Sequence, residues 1–199
     1  MPSPDQPLLA QFPQYTDLPD LEQRGRWTIR QALTMTLGID WNEDLSYDDP
    51  RNGQTAMEAT VDRYRYVLER PIVAVAGERW NYCGGATALI GKILENGTQQ
   101  AAHDYARAVL FDPLGLGPTE WRVSRDRERN FPSGLAMRPR DLARIGQMLL
   151  DGGKAGTQQG GPGGLAGGLL QAGGDAPRAA RIRLSLVSRR IQSSGWTVQ

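Results

Sequence analysis

Arg79-Trp80-Asn81-Tyr82-Cys83-Gly84-Gly85-Ala86 is the stretch on which the reading of this chain turns. It is a polar, aromatic turn that runs into Ala86, Leu89, Ile90, Ile93 and Leu94, a wide apolar stripe at helical spacing, with Asn96-Gly97 as the expected stop.

Upstream, Met57, Val61, Tyr64 and Leu68 follow one another by four, three and four residues, which predicts a helix closed by Pro71. Further back, Thr28 and Gln31 form a capping-box pattern at the head of a helix over 28–37. Ile29, Leu33 and Leu37 mark its buried side, and Gly38 is the left-handed terminator. The stretch from Asp40 to Gly53 reads as polar loop, and residues 1–25, rich in Pro, Asp and Gln, as an irregular lead-in.

Downstream, Ala102, Ala106, Val109 and Leu110 predict a helix from Gln99 to Phe111, ended by Pro113. A last helix runs from Pro139 to Asp151, with proline in its first turn, Leu142, Ile145 and Leu149 on one face, and Gly152 beyond. Residues 26–151 thus form one region of almost wholly helical signals, and the expected fold class is mostly α. The region 152–199 differs in kind: 11 of the 24 glycines fall between Gly152 and Gly174, without a period to offset their backbone entropy. It is expected to be a disordered, low-complexity tail. Ile182 to Val187 is a short strand candidate with no evident partner.

Composition narrows the function classes. A net charge of +1 offers no overall field for nucleic acid or anionic lipid, although Lys92 and Lys154 are the only lysines among 23 basic residues. A single cysteine, Cys83, excludes an internal disulfide framework and a multi-cysteine zinc site. No apolar run approaches the roughly 20 residues of a membrane helix, and the first ten residues lack the basic start and apolar core of a signal peptide.

Four segments in consistent order carry a family likeness: Thr28 to Thr36, Arg79 to Gly91, Leu110-Phe111-Asp112-Pro113-Leu114-Gly115-Leu116, and Ser133-Gly134-Leu135 running into Pro139-Arg140-Asp141-Leu142-Ala143. Over residues 7 to 151 the chain resembles the penicillin-recognising serine hydrolases, in particular the branch of class C β-lactamases, esterases and D,D-peptidases. The resemblance implies a helical-domain fragment of the β-lactamase/transpeptidase-like α/β fold. It also implies three active-site elements: a Ser-x-x-Lys on a helix, a Tyr-x-Asn or similar loop, and a Lys-Thr-Gly or His-x-Gly on a strand. Lysine and tyrosine take the serine's proton and later return one to the leaving group, while backbone N–H groups hold the oxyanion.

Of the three, the chain carries the second, as Tyr82-Cys83-Gly84, which assigns Tyr82 the general acid/base role. Gly84 stands where the family has asparagine, so an amide able to contact a substrate carbonyl is lost; this tilts the parent towards esterase or peptidase-like work. Three residues before Lys92 and Lys154 stand Leu89 and Asp151, so no Ser-x-x-Lys exists, and His103 is followed by Asp104-Tyr105 rather than x-Gly. The chain is therefore expected to be a catalytically incompetent fragment. The parent's substrate would be a small molecule or peptide bearing an ester, amide or β-lactam.

The tail beyond about Lys154 is expected to be translated out of frame, because synonymous codons for Gly160 to Leu165 and Ile182 to Arg189 can hide family-like sequence. A signal peptide and Ser-x-x-Lys upstream of Met1 would make the complete parent periplasmic or secreted. The rival reading is a non-catalytic helical module that binds a partner. Its apolar faces, left uncovered, would also favour non-specific self-association.

Other candidates read more plainly. Cys83 is a structural thiol rather than a nucleophile, and His103 a surface or packing residue. Asp40, Glu43, Asp44, Asp48 and Asp49 lack calcium-loop spacing and read as a solvated turn, with no metal or cofactor implied. Arg122, Arg125, Arg127 and Arg129 alternate with Asp126 and Glu128, which predicts a solvated loop of cancelling charges that does not bind nucleic acid.

Overall fold

The computed structural model describes residues 2–155 and 158–159. The expected order of the remaining tail and the strand candidate at Ile182 to Val187 lie outside the described residues. A 3-10 turn, Leu9–Gln11, is followed by α1 (Leu21–Arg24), α2 (Ile29–Leu33), α3 (Gly53–Glu58), α4 (Arg63–Leu68), α5 (Gly84–Thr98) and α6 (Ala102–Ala106). A π-helical turn at Arg107–Phe111 extends α6. Then come β1 (Glu120–Trp121), β2 (Leu135–Ala136), α7 (Pro139–Leu150), β3 (Lys154–Ala155) and β4 (Gln158–Gln159). Helices are the main regular elements of the described residues but not the larger part of them, and strands are few; β1 pairs with β2 and β3 with β4, both antiparallel.

α5 is the central element, against which α2, α3, α4 and α6 pack. Its small residues allow this: Gly84, Gly85, Ala86 and Ala88 are buried, so neighbouring backbones approach closely. A Cβ on Gly85 would meet Val67 Cγ2 at 2.7 Å and the Trp41 ring at 2.8 Å. Around α5 the core closes with Leu8, Phe12, Trp27, Met57, Leu68 and Leu89, each at most 1% exposed. Leu8 and Phe12 come from the lead-in, so this irregular stretch contributes to the core, and Pro7 bridges to Thr28.

Several helices depart from the sequence expectation, each for a local reason. The capping box at Thr28 forms as expected, with the Thr28 side chain accepting from Gln31 N–H and Gln31 reaching back to Thr28 N–H. The helix nevertheless stops at Leu33 rather than Leu37. Thr34 and Thr36 turn their hydroxyls onto the Arg30 and Gln31 carbonyls, competing with the helical ladder, and Met35 takes φ +56°. Leu33 is consequently 48% exposed, while Ile29 and Leu37 are buried as predicted. Gly38 is left-handed at φ +74°, but its use is close approach: a Cβ there would collide with the Ala74 carbonyl.

The predicted continuous helix through Met57 and Leu68 is two helices. Thr60 donates its hydroxyl to the Met57 carbonyl, and Asp62 restarts the chain as an N-cap, accepting from Arg65 N–H at 2.9 Å. Val61, in the break, is 96% exposed. α5 runs through the expected Asn96-Gly97 stop and ends where Gln99 adopts φ +55°. α7 begins at Pro139 as predicted, but Leu142 is exposed and Asp141 and Met148 are the residues it buries. Asp141 is drawn inward by Arg138 at 2.7 Å, Arg144 at 3.3 Å and the Gly117 N–H at 3.2 Å. Those partners hold its carboxyl below the ordinary range.

The β1–β2 hairpin is not the freely solvated loop its sequence suggested. Arg63, with a side chain 1% exposed, donates through Nε and Nη2 to the Asp126 carboxylate, the latter at 2.7 Å. Glu128 accepts from Lys92 Nζ at 2.9 Å and from the Tyr64 hydroxyl at 2.8 Å. The hairpin is thereby held against α4 and α5, with Phe131 in the space left by Gly91.

Candidate active site

Tyr82 immediately precedes the N-cap of α5, and the segment carrying it is pinned from both sides. Asn81 N–H donates to the Met35 carbonyl at 3.0 Å and its side-chain amide to the Trp41 carbonyl at 2.7 Å. Cys83 is the N-cap, its sulfur accepting from Ala86 N–H at 3.3 Å. Buried at 4% exposure, its thiol is pushed up to about 12 by desolvation, which removes it as a nucleophile.

Glu43, which the sequence placed in a solvated turn, has a defined task. Its Oε1 accepts from Trp41 Nε1 and from Gly84 N–H, both at 2.6 Å, setting a carboxylate on the first turn of α5. Two other acids of that run are also engaged: Asp40 binds Arg70 and Asp49 binds Arg51, both at 2.7 Å. Sequence reasoning missed Glu43 because its partners are 41 residues away at Gly84 and two away at Trp41, a pairing no local spacing encodes.

Beside Tyr82 lies a groove of about 320 Å³. One wall is the run from Gly38 to Asp44, the other Arg79 to Tyr82, and Val73 and Ala74 lie between them. Tyr82 is 40% exposed at its edge. The phenol is pushed above its usual range, first by burial and then by the field of Glu43. At neutral pH it is protonated and suited to donate a proton; it becomes a base only if a nearby cation lowers it. Among the described residues, the groove lining contains no serine, lysine or histidine. Lys92 lies about 12 Å along α5 from Gly84 and is committed to Glu128. His103 packs against Phe111 and bonds Thr119 Oγ1 at 2.9 Å.

Position 84 is also explained by packing. A Cβ there would meet Gln54 Oε1 at 2.5 Å, Glu43 Oε1 at 2.7 Å and Pro132 Cβ at 3.3 Å. Among the described residues no group of His, Cys, Asp and Glu is arranged to hold a metal, and no helix is long and apolar enough to cross a membrane.

The Tyr82 phenol carries a testable signature. In Tyr82→Phe, stability should change by less than about 0.5 kcal/mol, because the ring stays and the half-exposed hydroxyl leaves no buried partner behind. A spectrophotometric titration of parent minus variant should show one phenol ionising above the ordinary tyrosine range. An ionisation below that range would mean that a cation faces the ring.

Tyr82 thus stands at the head of a small-residue helix, beside an open groove, in a chain whose family match and structural neighbours are those of the β-lactamase and penicillin-binding serine-hydrolase fold. A family model described as Beta-lactamase matches residues 3–188, and the chain belongs to that family. The match runs beyond residue 151, where the likeness read from sequence ended. Solved structures agree on the fold. A Bacillus anthracis protein assigned as a 6-aminohexanoate-dimer hydrolase superposes with TM-score 0.66 at 18% identity, covering 81% of this chain and 45% of that one. A D-stereospecific amidohydrolase from Streptomyces gives 0.52 at 20%, covering 76% and 54%. An octameric penicillin-binding protein homologue from Pyrococcus abyssi gives 0.54 at 18%, covering 79% and 41%. The chain spans about half the length of these structures. No curated protein sequence matches it.

Proposed function

We propose that the chain supplies the tyrosine-bearing helical layer of a β-lactamase-family serine hydrolase, with Tyr82 as the general acid/base residue. The reaction is acyl transfer to water through a serine ester, on an ester, amide or β-lactam. The observation that carries this reading is Tyr82 at the edge of an open groove, at the head of the helix on which the family likeness centres. The chain does not complete the reaction by itself. Supporting this are the absence of Ser-x-x-Lys from its sequence, the groove lining, and a phenol whose environment keeps it protonated. A phenol that stays protonated cannot take the proton of any hydroxyl.

Purified full-length chain should take up neither a fluorescent penicillin nor a fluorophosphonate probe, as read by intact-protein mass. Stoichiometric covalent labelling would overturn the incompetence of this chain, and its site would name the acyl acceptor.

A second reading, a helical module that binds a partner, draws on α7, where Leu142 is 61% and Leu150 84% exposed. Sedimentation separates the two: a defined oligomer or complex favours the module, and a monomer favours the hydrolase layer alone.

A further inference from the structure

The alternating charges of the β1–β2 hairpin suggest cancellation when read along the chain, but the fold sorts them by face. Asp126 and Glu128 turn inward to Arg63, Tyr64 and Lys92. Arg122, Arg125 and Arg127 are exposed, and among the described residues none of the three has an ion pair or a side-chain hydrogen bond. The carboxylates that would neutralise this row are already spent on Arg63 and Lys92. Glu120 is exposed at the base of the hairpin, outside the hollow described next.

Beside Arg122 and Arg125 lies a hollow of about 400 Å³, lined also by Ser124 and, from the end of α3, by Thr55 and Ala59. Glu58 borders it but is drawn towards Arg63 at 3.6 Å and Gln54 Nε2 at 3.1 Å. Arg127 adds a second observation. It holds φ +65° in the tight turn where Ser124 N–H reaches the Glu128 carbonyl, a conformation that a β-carbon disfavours and glycine or asparagine would adopt at less cost. Unrelieved backbone strain of this kind concentrates at functional positions.

We propose that the hollow and its guanidinium row bind a phosphate group carried by a small molecule. Two planar forks present more donors than one carboxylate can accept, whereas the oxygens of a phosphate can engage both, and the Ser124 hydroxyl adds a neutral donor. The volume suits a small ligand. A row of three arginines in a chain of net charge +1 is too short to track a nucleic-acid backbone. The site is independent of Tyr82 and its groove.

The test is an NMR titration of the full chain with inorganic phosphate, with acetate and a short single-stranded oligonucleotide as comparison ligands. Saturable amide shifts confined to residues 122–127 and 55–59 are expected with phosphate. The double substitution Arg122→Gln, Arg125→Gln should weaken binding about tenfold or more, equivalent to at least about 1.4 kcal/mol. Arg127→Gly removes one guanidinium while relaxing the turn, so it should bind phosphate more weakly yet melt no lower than the parent. Unsaturable shifts, or equal binding by the double variant, would overturn the site. Equal affinity for acetate would overturn the phosphate assignment. Tighter, steeply salt-dependent binding of the oligonucleotide would overturn the small-molecule assignment.

Discussion

Arg63→Ala should lose about 3–5 kcal/mol of stability, a large share of the roughly 5–15 kcal/mol that holds a domain together. The cost arises less from the bonds removed than from the charge left behind. Arg63 is fully enclosed at the start of α4, and the Asp126 side chain facing it is 7% exposed. Burial acts against the guanidinium, yet the Asp126 hydrogen bonds and the fields of Asp126 and Glu58 outweigh it, raising the pKa above its ordinary value. Alanine would strand the Asp126 carboxylate, and would also remove the donor at 3.3 Å from the Arg129 carbonyl. The double variant Arg63→Met, Asp126→Leu should recover more than half of the loss, because an apolar pair carries no desolvation penalty. Urea midpoints at constant slope measure both. A single-variant loss below about 1 kcal/mol would mean that the pair behaves as an exposed salt bridge and that water reaches the hairpin base.

The two charged groups in that argument show where sequence ceased to be legible. Helix starts were readable because their determinants are local: Thr28 with Gln31, Pro139 in a first turn, and the stripe following Tyr82 all reappear as α2, α7 and α5. Helix ends were less so. Thr34 and Thr36 terminate α2 by side-chain hydrogen bonds whose geometry depends on Met35 turning left-handed, and Asp62 splits a pattern whose apolar spacing is continuous. Charge roles were the least readable. Asp126 meets Arg63 across 63 residues and Glu43 meets Gly84 across 41, so alternation along the chain said nothing about which carboxylates would be consumed in the interior. Of the groove's lining the sequence singled out Tyr82 as a site residue; the walls depend on Gly38 and Asn81, which hold the Trp41 and Ala74 segments against the helix head.

Gly84→Asn is the second substitution expected to have a large effect, and its sign is against family resemblance. Restoring Tyr-x-Asn would, by pattern alone, be expected to restore a substrate-binding amide. The geometry gives the opposite result. The first atom of any side chain at position 84 would approach Gln54 Oε1 to 2.5 Å and Glu43 Oε1 to 2.7 Å, with Pro132 Cβ behind them at 3.3 Å. Gln54 Oε1 has no hydrogen-bond partner, so the space contains an unsatisfied acceptor as well as a carboxylate. An asparagine amide could in principle donate to these oxygens, but its Cβ must first displace them, and Glu43 holds both Trp41 Nε1 and Gly84 N–H. Overpacking and the broken bonds together should cost about 3 kcal/mol, lowering Tm by about 6–12 °C. Gly84→Ala should reproduce most of that fall, since the β-carbon alone makes the clash, and Glu43→Ala should relieve part of it in combination. If Gly84→Asn melts with the parent while Gly84→Ala does not, the amide satisfies Gln54, and the glycine is then a matter of substrate choice rather than of packing.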